Sequence, residues 1–181
     1  MSTLQEIPLA TITEEPSSLG EYAGSVLLVV NVASKCGLTP QYEGLEALYR
    51  QYQDKGLVVM GFPANNFREQ EPGDNAEIAE FCSLTYDVTF PMFSKISIVG
   101  DDKHPLYAEL IEQAPPITGD TESHRNRLRE YGITPTEDPD VTWNFEKFLV
   151  SRDGQVVGRF APSIKPEDPA IVEAIEAELA K

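Results

Sequence analysis

The sequence has few cysteines, few basic residues and no long apolar run. Two cysteines among 181 residues cannot build a disulfide scaffold, so we expect a reducing compartment, the cytoplasm. No stretch approaches the roughly 20 apolar residues that a membrane-spanning helix requires, so a membrane is not expected as a partner. Residues 1–10 lack a basic region followed by an apolar block, and a secretory signal is therefore not expected.

The charge balance is strongly acidic. Thirty Asp and Glu residues stand against fourteen Lys and Arg residues, which gives a formal net charge of -16. A surface of this sign repels nucleic acid and anionic lipid, so neither is expected as a main partner. High solubility and adaptation to salt explain the acidic excess equally well, so the charge does not identify a substrate. With 41% hydrophobic residues, residues 1–181 suit a single globular domain with a substantial core.

Apolar periodicity and turn residues divide the chain into alternating strands and helices. The predicted strands are residues 25–32, 57–62, 95–99, 145–151 and 155–160, with further short strands within residues 4–19. The predicted helices are residues 40–54, residues 74–86, a helix from about residue 105, and residues 170–179. Strands that alternate with helices, followed by a hairpin and a terminal helix, predict an α/β fold in which helices cover both faces of a mixed central sheet.

Two of the predicted helices carry recognisable start signals. Thr39 is the expected cap of one helix, with Pro40 at its first helical position. Asp74, with Glu77 three residues later, matches a capping box. Residues 113–141 contain four prolines and are predicted to be an irregular insertion with one helical turn near residues 123–129.

The segment 31–37, Asn-Val-Ala-Ser-Lys-Cys-Gly, joins a predicted strand to a predicted helix and contains Cys36. Backbone amides and the helix dipole at such a junction favour a thiolate, which is the form of cysteine that attacks oxidants and disulfides. The alternative is a small buried hydrophobe, the commoner state of a lone cysteine. The position of Cys36 at the carboxyl end of a strand, where α/β folds place their ligands, favours a role in chemistry.

Three polar residues from distant segments are candidates to assist this cysteine. A thiolate that reduces a peroxide needs donors that hold the anion and a route back from sulfenic acid. Gln70 follows the second core strand, and Trp143 and Asn144 precede the hairpin strand, so all three can meet above the carboxyl edge of the sheet. Their indole and carboxamide N–H groups donate hydrogen bonds without adding a titratable charge. Taken singly, Trp143 fits a core aromatic and Gln70 a solvated loop residue, so the interpretation depends on their combination.

Three blocks of the sequence resemble the signature motifs of the glutathione peroxidase family. The blocks are residues 31–39 (Asn-Val-Ala-Ser-Lys-Cys-Gly-Leu-Thr), residues 67–73 (Phe-Arg-Glu-Gln-Glu-Pro-Gly) and residues 143–148 (Trp-Asn-Phe-Glu-Lys-Phe). They occur in the order of the family, and the resemblance extends from about residue 4 to residue 180. It implies a thioredoxin-like fold with an N-terminal β-hairpin extension. The catalytic tetrad implied by the resemblance is Cys36, Gln70, Trp143 and Asn144.

The second cysteine, Cys82, is predicted to lie in a helix that also carries Phe81 and Tyr86. On its own it fits a buried helix cysteine. The resemblance to non-selenium members of the family implies instead a resolving thiol, which attacks the Cys36 sulfenic acid and forms a Cys36–Cys82 disulfide. Bridged cysteines need Cα atoms within about 7 Å of each other, and a loop and a helix are expected to start farther apart. We therefore expect the helix of residues 74–86 to unwind in part during turnover.

The resemblance implies a peroxidase that reduces hydrogen peroxide and organic hydroperoxides without a metal, selenium or another bound cofactor. An internal disulfide suits a protein dithiol as its reductant, so thioredoxin is the expected partner, with glutathione as a second candidate. Lys35 and Arg68 are the basic residues expected to hold the carboxylates of glutathione weakly.

The chain departs from the family pattern at several positions. Ala64 stands where many relatives have a cysteine, and Arg68 and Glu69 replace the two glycines of a common Phe-Gly-Gly-Gln block. The second change adds bulk and charge at the mouth of the expected pocket. The insertion at residues 113–141 resembles that of bacterial members named after the vitamin B12 transport operon. It leaves the oligomeric state open.

Two other functions are alternatives to the peroxidase. A disulfide oxidoreductase requires Cys-x-x-Cys, and this class is disfavoured because Thr39 stands where the second cysteine belongs. A redox sensor or relay, in which oxidised Cys36 passes its oxidation to a partner protein, would use the same residues, so the sequence leaves it open. His104 and His124 match no zinc-binding spacing with the two cysteines, so no metal site is expected.

Overall fold

A computed structural model describes residues 2–181, in which six strands and six α-helices form. The strands are β1 Leu9–Ala10, β2 Pro16–Ser17, β3 Val26–Val32, β4 Leu57–Pro63, β5 Lys147–Val150 and β6 Val156–Phe160. The α-helices are α1 Thr3–Glu6, α2 Gln41–Tyr52, α3 Asn75–Tyr86, α4 Pro105–Gln113, α5 Thr121–Glu130 and α6 Pro169–Leu179. Within the described residues, no helix has both the length and the apolar character needed to cross a bilayer.

The central sheet has four strands in the order β4-β3-β5-β6. β3 runs parallel to β4, with Val26 opposite Leu57, and antiparallel to β5, with Leu27 opposite Val150. β6 pairs antiparallel with β5. All seven residues of β3 are buried, as is typical of a central strand that is covered on both faces. The predicted α/β fold, with a mixed sheet and helices on both faces, is confirmed.

The β3–α2–β4 unit follows the apolar pattern of the sequence. β3 and β4 are nearly continuous apolar runs, and α2 between them buries Tyr42, Leu45 and Leu48. Gly56 ends the helical segment with a φ of 108°, a left-handed conformation that residues with a side chain rarely adopt. Two parallel strands need a crossover of this kind. The crossover begins with residues 33–40, which therefore lie at the carboxyl end of β3.

The N-terminal strands form a small separate hairpin. β1 and β2 pair antiparallel, and the hairpin is joined to the segment after α3. The Ile12 N–H group donates to the Met92 carbonyl at 3.0 Å, and the Ser94 N–H group donates to the Ala10 carbonyl at 2.9 Å. The expected N-terminal β-hairpin extension is therefore confirmed. The preceding helix α1 is not predicted by the sequence, because four residues are too few to show helical periodicity.

The predicted strand at residues 95–99 is wrong, since only one isolated bridge forms there. Side chains capture main-chain amides of this segment instead. The Lys95 N–H group donates to Asn75 Oδ1 at 3.0 Å, and the Ile98 N–H group donates to Asn66 Oδ1 at 2.8 Å. Side chains that bind main-chain amides compete with the ladder of a sheet, so the apolar pattern of the segment does not produce a strand.

The insertion at residues 113–141 contains more helix than predicted. α5 has ten residues, whereas the sequence predicts a single turn. Asp120 caps its first turn, and the residues that it buries are Leu128 and Arg125. The Arg125 Nε group donates to the Thr136 carbonyl at 3.0 Å, which ties α5 to the chain that follows it. A helix that buries an arginine has no apolar stripe for a periodicity argument to detect.

Candidate active site

Cys36 lies in the loop that leaves the carboxyl end of β3, here called the cysteine loop (residues 33–40). The residue is 8% exposed, and the Leu38 N–H group donates to Cys36 Sγ at 3.3 Å. A backbone donor directed at a sulfur atom stabilises negative charge on that atom. Cys36 therefore combines slight exposure to solvent with a fixed hydrogen-bond donor to its sulfur atom, which are two properties that a thiol nucleophile needs.

Thr39 fixes the cysteine loop rather than capping the next helix, so the predicted cap is wrong. Its hydroxyl accepts the Cys36 N–H group at 2.9 Å and donates to the Ala33 carbonyl at 2.8 Å. α2 begins at Gln41, and Pro40 occupies the cap position without a side-chain hydrogen bond. Because both bonds of the Thr39 hydroxyl stay within the loop, the hydroxyl orders the backbone of Cys36.

The structure brings Gln70 and Asn144 into direct contact. Asn144 Nδ2 donates to Gln70 Oε1 at 2.9 Å, although 74 residues separate them in sequence. The Lys35 N–H group donates to the Gln70 carbonyl at 2.9 Å, which joins Gln70 to the cysteine loop. Since Asn144 occupies the carboxamide oxygen of Gln70, the amide N–H groups of Gln70 are the ones left to face a ligand.

Trp143 is held through both its main chain and its ring. Its carbonyl accepts a hydrogen bond from Asn31 Nδ2 of β3 at 3.0 Å. Its ring centroid lies 5.2 Å from that of Phe67 and 5.9 Å from that of His124. Asn31 thereby ties the segment before β5 to the strand that leads into the cysteine loop. All four predicted tetrad residues are thus held by contacts with the elements around the carboxyl end of β3.

The sequence gives little indication of three residues that support the site, which are Asn31, Thr39 and His124. Asn31 and Thr39 lie inside the first motif block, and that position is the one signal available for them. His124 belongs to the insertion, and its contact with the tryptophan ring depends on where α5 packs. Burial lowers the pKa of His124, and the nearby Arg127 and Arg125 lower it further, so its ring is neutral at pH 7.

Arg68 and Glu69 adopt left-handed backbone conformations directly before Gln70. Their φ angles are 58° and 52°. This conformation costs a residue with a side chain about 1–2 kcal/mol, whereas glycine adopts it without that cost. The glycine-type conformation is therefore present at the two positions where the common family motif has glycine. The two strained residues directly precede Gln70, whose carboxamide is hydrogen-bonded by Asn144. Backbone strain of this kind is common at functional sites.

Lys35 and Arg68, the two basic residues predicted to hold glutathione, are both exposed. Neither is in a salt bridge with any of residues 2–181. Lys35 directly precedes the cysteine, and Arg68 lies two residues before Gln70. Their charged groups are therefore available to an anionic ligand at the edge of the site.

Cys82 lies in α3 with Phe81 and Tyr86, as predicted, and is 2% exposed. Neither cysteine is in a disulfide. Burial raises the pKa of the Cys82 thiol to about 11, while the Tyr42 hydroxyl opposes this shift and the Glu71 carboxyl group adds to it. The Cys82 thiol is therefore protonated at neutral pH and is not a nucleophile in this state.

A cavity of about 340 Å³ lies between the cysteine loop and α3. Ser34 and Lys35 line it from the loop, and Ile78 and Phe81 line it from α3. A larger groove, of about 800 Å³, lies along α2 and also reaches the cysteine loop at Gly37. Both spaces therefore border the loop that carries Cys36.

Residues 2–181 contain no group of three or more His, Cys, Asp or Glu side chains arranged to hold a metal ion. His104 is engaged at the start of α4, where its Nδ1 accepts the Leu106 N–H group at 3.0 Å.

The chain is similar to known proteins over most of its length. A family model described as glutathione peroxidase matches residues 4–111. The chain is 50% identical over 183 residues to the "Thioredoxin/glutathione peroxidase BtuE" of Escherichia coli (strain K12), a match that covers 98% of this chain and 100% of that protein. It is 43% identical over 159 residues to the "Hydroperoxy fatty acid reductase gpx1" of Synechocystis sp. (strain ATCC 27184 / PCC 6803 / Kazusa), which covers 86% of this chain and 84% of that protein.

Solved structures share the fold. The crystal structure of Trgpx in apo form matches with a TM-score of 0.71 and 34% identity, covering 99% of this chain and 97% of that chain. A thioredoxin-family thiol:disulfide interchange protein from Chlorobium tepidum TLS matches with a TM-score of 0.56 and 13% identity, covering 99% of each chain. The second likeness concerns the fold alone, and it confirms the predicted thioredoxin-like fold.

Proposed function

Because the chain belongs to the glutathione peroxidase family and is a peroxidase that reduces hydroperoxides, we propose that Cys36 is the residue that reacts with the peroxide. The Cys36 thiolate attacks the terminal peroxide oxygen of H2O2 or of an organic hydroperoxide. The O–O bond breaks, water or an alcohol leaves, and the sulfur becomes a sulfenic acid. The relative named as a hydroperoxy fatty acid reductase supports organic hydroperoxides as substrates.

The observation that carries this proposal is the hydrogen bond between Asn144 and Gln70 beside the cysteine loop. It orders the Gln70 carboxamide so that its N–H groups can donate to a ligand. In the proposal, these groups act with the Trp143 indole and Asn144 as the donors that hold the thiolate and the developing oxyanion. Ordered neutral donors of this kind stabilise a transition state because they need no reorganisation when charge develops.

We assign the resolving role to Cys82. Its thiol attacks the Cys36 sulfenic acid, a disulfide forms and water leaves. The cavity between the cysteine loop and α3 supports this assignment, because it adjoins both cysteine-bearing segments. Cys82 is buried, so the proposal includes partial opening of α3 before the two sulfur atoms can bond.

We propose that thioredoxin reduces this disulfide and that glutathione is a weaker alternative reductant. The name of the Escherichia coli relative includes both, and a protein dithiol is suited to opening an internal disulfide. The exposed charges of Lys35 and Arg68 support weak binding of glutathione carboxylates. The chemistry uses sulfur alone, without a metal or another bound cofactor, and two free thiols suit the reducing cytoplasm.

The test is peroxide consumption by the wild type, Cys36→Ser and Cys82→Ser, with thioredoxin and glutathione systems side by side. We expect Cys36→Ser to show only the uncatalysed rate with either system, because its nucleophile is absent. We expect Cys82→Ser to lose turnover with thioredoxin but still to consume about one equivalent of peroxide in a first turnover.

Ser83→Ala is a matched control, because Ser83 is the exposed neighbour of Cys82 on α3 and the variant removes one small polar group. We expect it to behave like the wild type. Full activity of Cys36→Ser would contradict the proposed nucleophile. Loss of the first turnover in Cys82→Ser would give Cys82 a role other than resolving.

A further inference from the structure

Glu71 is a buried acid for which the proposed peroxidase steps provide no role. It directly follows Gln70, is 1% exposed, and its Oε2 atom has no hydrogen-bond partner among residues 2–181. Its main chain is fixed on both sides: its N–H group donates to Asn65 Oδ1 at 2.9 Å, and its carbonyl accepts from Lys95 Nζ at 3.3 Å. A buried carboxylate oxygen without a hydrogen-bond partner destabilises the folded protein. Its position therefore calls for a chemical explanation.

The surroundings of Glu71 include parts of both segments that carry a cysteine. Glu71 lines the cavity of about 340 Å³, with Ser34 of the cysteine loop on one side and Ile78 of α3 on the other. Ile78 and Cys82 are four residues apart and are the two buried apolar residues of α3, so they share one helix face. Glu71 therefore lies at the space between the two segments that carry the cysteines, and its carboxyl group is close enough to the Cys82 thiol to raise the pKa of that thiol.

Other polar groups in this region also lack partners. The Ser34 hydroxyl and the Tyr42 hydroxyl are buried and make no hydrogen bond of standard geometry in the described chain, although Ser34 lies near enough to Glu71, and Tyr42 near enough to Cys82, to lower the pKa values of these two groups. Burial raises the pKa of Glu71, while Ser34, Lys95 and Lys35 oppose the shift. The titratable groups that face Glu71 are Lys35 of the cysteine loop, Tyr42 of α2, Glu77 and Cys82 of α3, and Lys95 after α3. A carboxyl group with a raised pKa is a stronger base than an ordinary one.

The resolving step needs a base because Cys82 holds its proton firmly. With a pKa of about 11 while α3 is closed, only about one Cys82 thiol in ten thousand is ionised at pH 7. The thiolate is the form that attacks sulfur. A nearby proton acceptor would allow the thiol to react at neutral pH without prior ionisation in solvent.

We propose that Glu71 accepts the proton of the Cys82 thiol as that sulfur attacks the Cys36 sulfenic acid, an inference that rests on the proposed function. The S–S bond forms between the two cysteines and the S–O bond of Cys36 breaks. The departing hydroxide takes the proton from Glu71 and becomes water, so Glu71 is regenerated. The oxidising equivalent comes from the sulfenic acid, and no further oxidant is required.

The test compares Glu71→Gln with Glu80→Gln after one equivalent of H2O2. Glu80 is an exposed acid of α3, so the control removes the same charge away from the cavity. Sulfenic acid is measured as the dimedone adduct of Cys36, and disulfide formation is measured by acid quenching and mass spectrometry. We expect Glu71→Gln to form the sulfenic acid but to form the disulfide on the order of 100-fold more slowly at pH 7. We expect Glu80→Gln to match the wild type.

The pH profile gives a readout that a purely structural role would not change. In Glu71→Gln, disulfide formation should accelerate about tenfold per pH unit towards pH 11, because it then depends on ionisation of the thiol in solution. The wild type should already level off well below that pH. The pH profile of the wild type uses the unaltered protein, so it tests the proposal even if Glu71→Gln fails to fold.

The two hypotheses fail in different ways. A wild-type rate of disulfide formation in Glu71→Gln overturns the role of Glu71 and leaves the peroxidase proposal intact. The role of Glu71 is also overturned if, in the wild-type protein, the rate of disulfide formation rises steadily up to pH 11. If the wild type forms neither a sulfenic acid nor a disulfide, the proposed function itself is wrong.

Discussion

Among single residues, Lys147 is unusual because it is a lysine with no exposed surface. Its Nζ atom donates to the carbonyls of Pro162 at 3.0 Å and Ile164 at 2.6 Å, so the amine is satisfied by main-chain acceptors. Burial lowers the pKa of Lys147 to about 7, although Glu146 and Glu167 oppose the shift. The folded protein therefore releases this proton far more readily than the unfolded chain does.

Lys147→Met tests the lowered pKa of Lys147 through the pH dependence of stability. The unfolded chain keeps the proton up to the ordinary pKa of 10.5, whereas the folded state loses it near pH 7. Between these values unfolding takes up a proton, so the Lys147 contribution to the free energy of unfolding rises with pH by at most about 1.4 kcal/mol per pH unit. We expect the stability of the wild type minus that of Lys147→Met, measured by urea denaturation, to rise from pH 7 to pH 10.

The matched control is Lys165→Met, which removes an exposed lysine. The difference between the wild type and this variant should be nearly constant over the same pH range. A flat or falling difference for Lys147→Met would mean that Lys147 stays charged in the folded protein.

The residues of the site differ in how far the sequence predicts them. Cys36, Gln70 and Asn144 are predicted because they lie in motif blocks, and the structure connects the cysteine loop to the other two through Gln70. Lys147 and Glu71 also lie in motif blocks, but their burial is not predicted. A charged residue in a sequence is ordinarily interpreted as a surface residue, and only long-range packing shows that these two are enclosed.

Among the elements, α3 combines a well-capped start with light packing. Asp74 Oδ1 accepts the Glu77 N–H group at 2.8 Å, and Glu77 Oε1 accepts the Asp74 N–H group at 3.3 Å, which confirms the predicted capping box. The helix buries Ile78 and Cys82 but leaves Leu84 77% exposed. A helix with few buried apolar residues opens locally at a low free-energy cost. The part after the first turn is therefore the part that we expect to open during resolution.

Hydrogen exchange tests this opening. After oxidation with one equivalent of peroxide, amides of residues 79–86 should exchange at least about tenfold faster than in the reduced protein, because the proposed disulfide requires that turn to unwind. α6, which carries no cysteine, is the internal control and should keep its protection. Unchanged protection of α3 in a protein that contains the disulfide would contradict the proposed opening.

Two of the errors in the predicted elements have different physical causes. Residues 95–99 have the composition of a strand, but side chains of Asn66 and Asn75 bind their amides. Residues 121–130 lack an apolar stripe, and a buried Arg125 contributes to packing in its place. Strongly apolar elements such as β3 and β4 are predicted correctly because burial alone determines them. Elements that depend on particular polar contacts are not, since those contacts come from distant residues.

For the whole molecule, the site is an assembly of three distant segments at the carboxyl end of β3. The cysteine loop, the loop around Gln70 and the segment before β5 are joined by hydrogen bonds across the fold. The net charge of -16 repels anionic ligands over long distances. Lys35 and Arg68 are exposed near this assembly, and their attraction acts within about one Debye length, roughly 8–10 Å at physiological salt.

The account depends on Cys36 being the sulfur that peroxide oxidises. The most direct measurement treats the reduced protein with one equivalent of H2O2 in the presence of dimedone and locates the adduct by mass spectrometry, in the wild type and in Cys82→Ser. We predict an adduct on Cys36 that accumulates further in Cys82→Ser, because the competing disulfide can no longer form. An adduct on Cys82 of the wild type, or no adduct at Cys36 in either protein, would contradict the account.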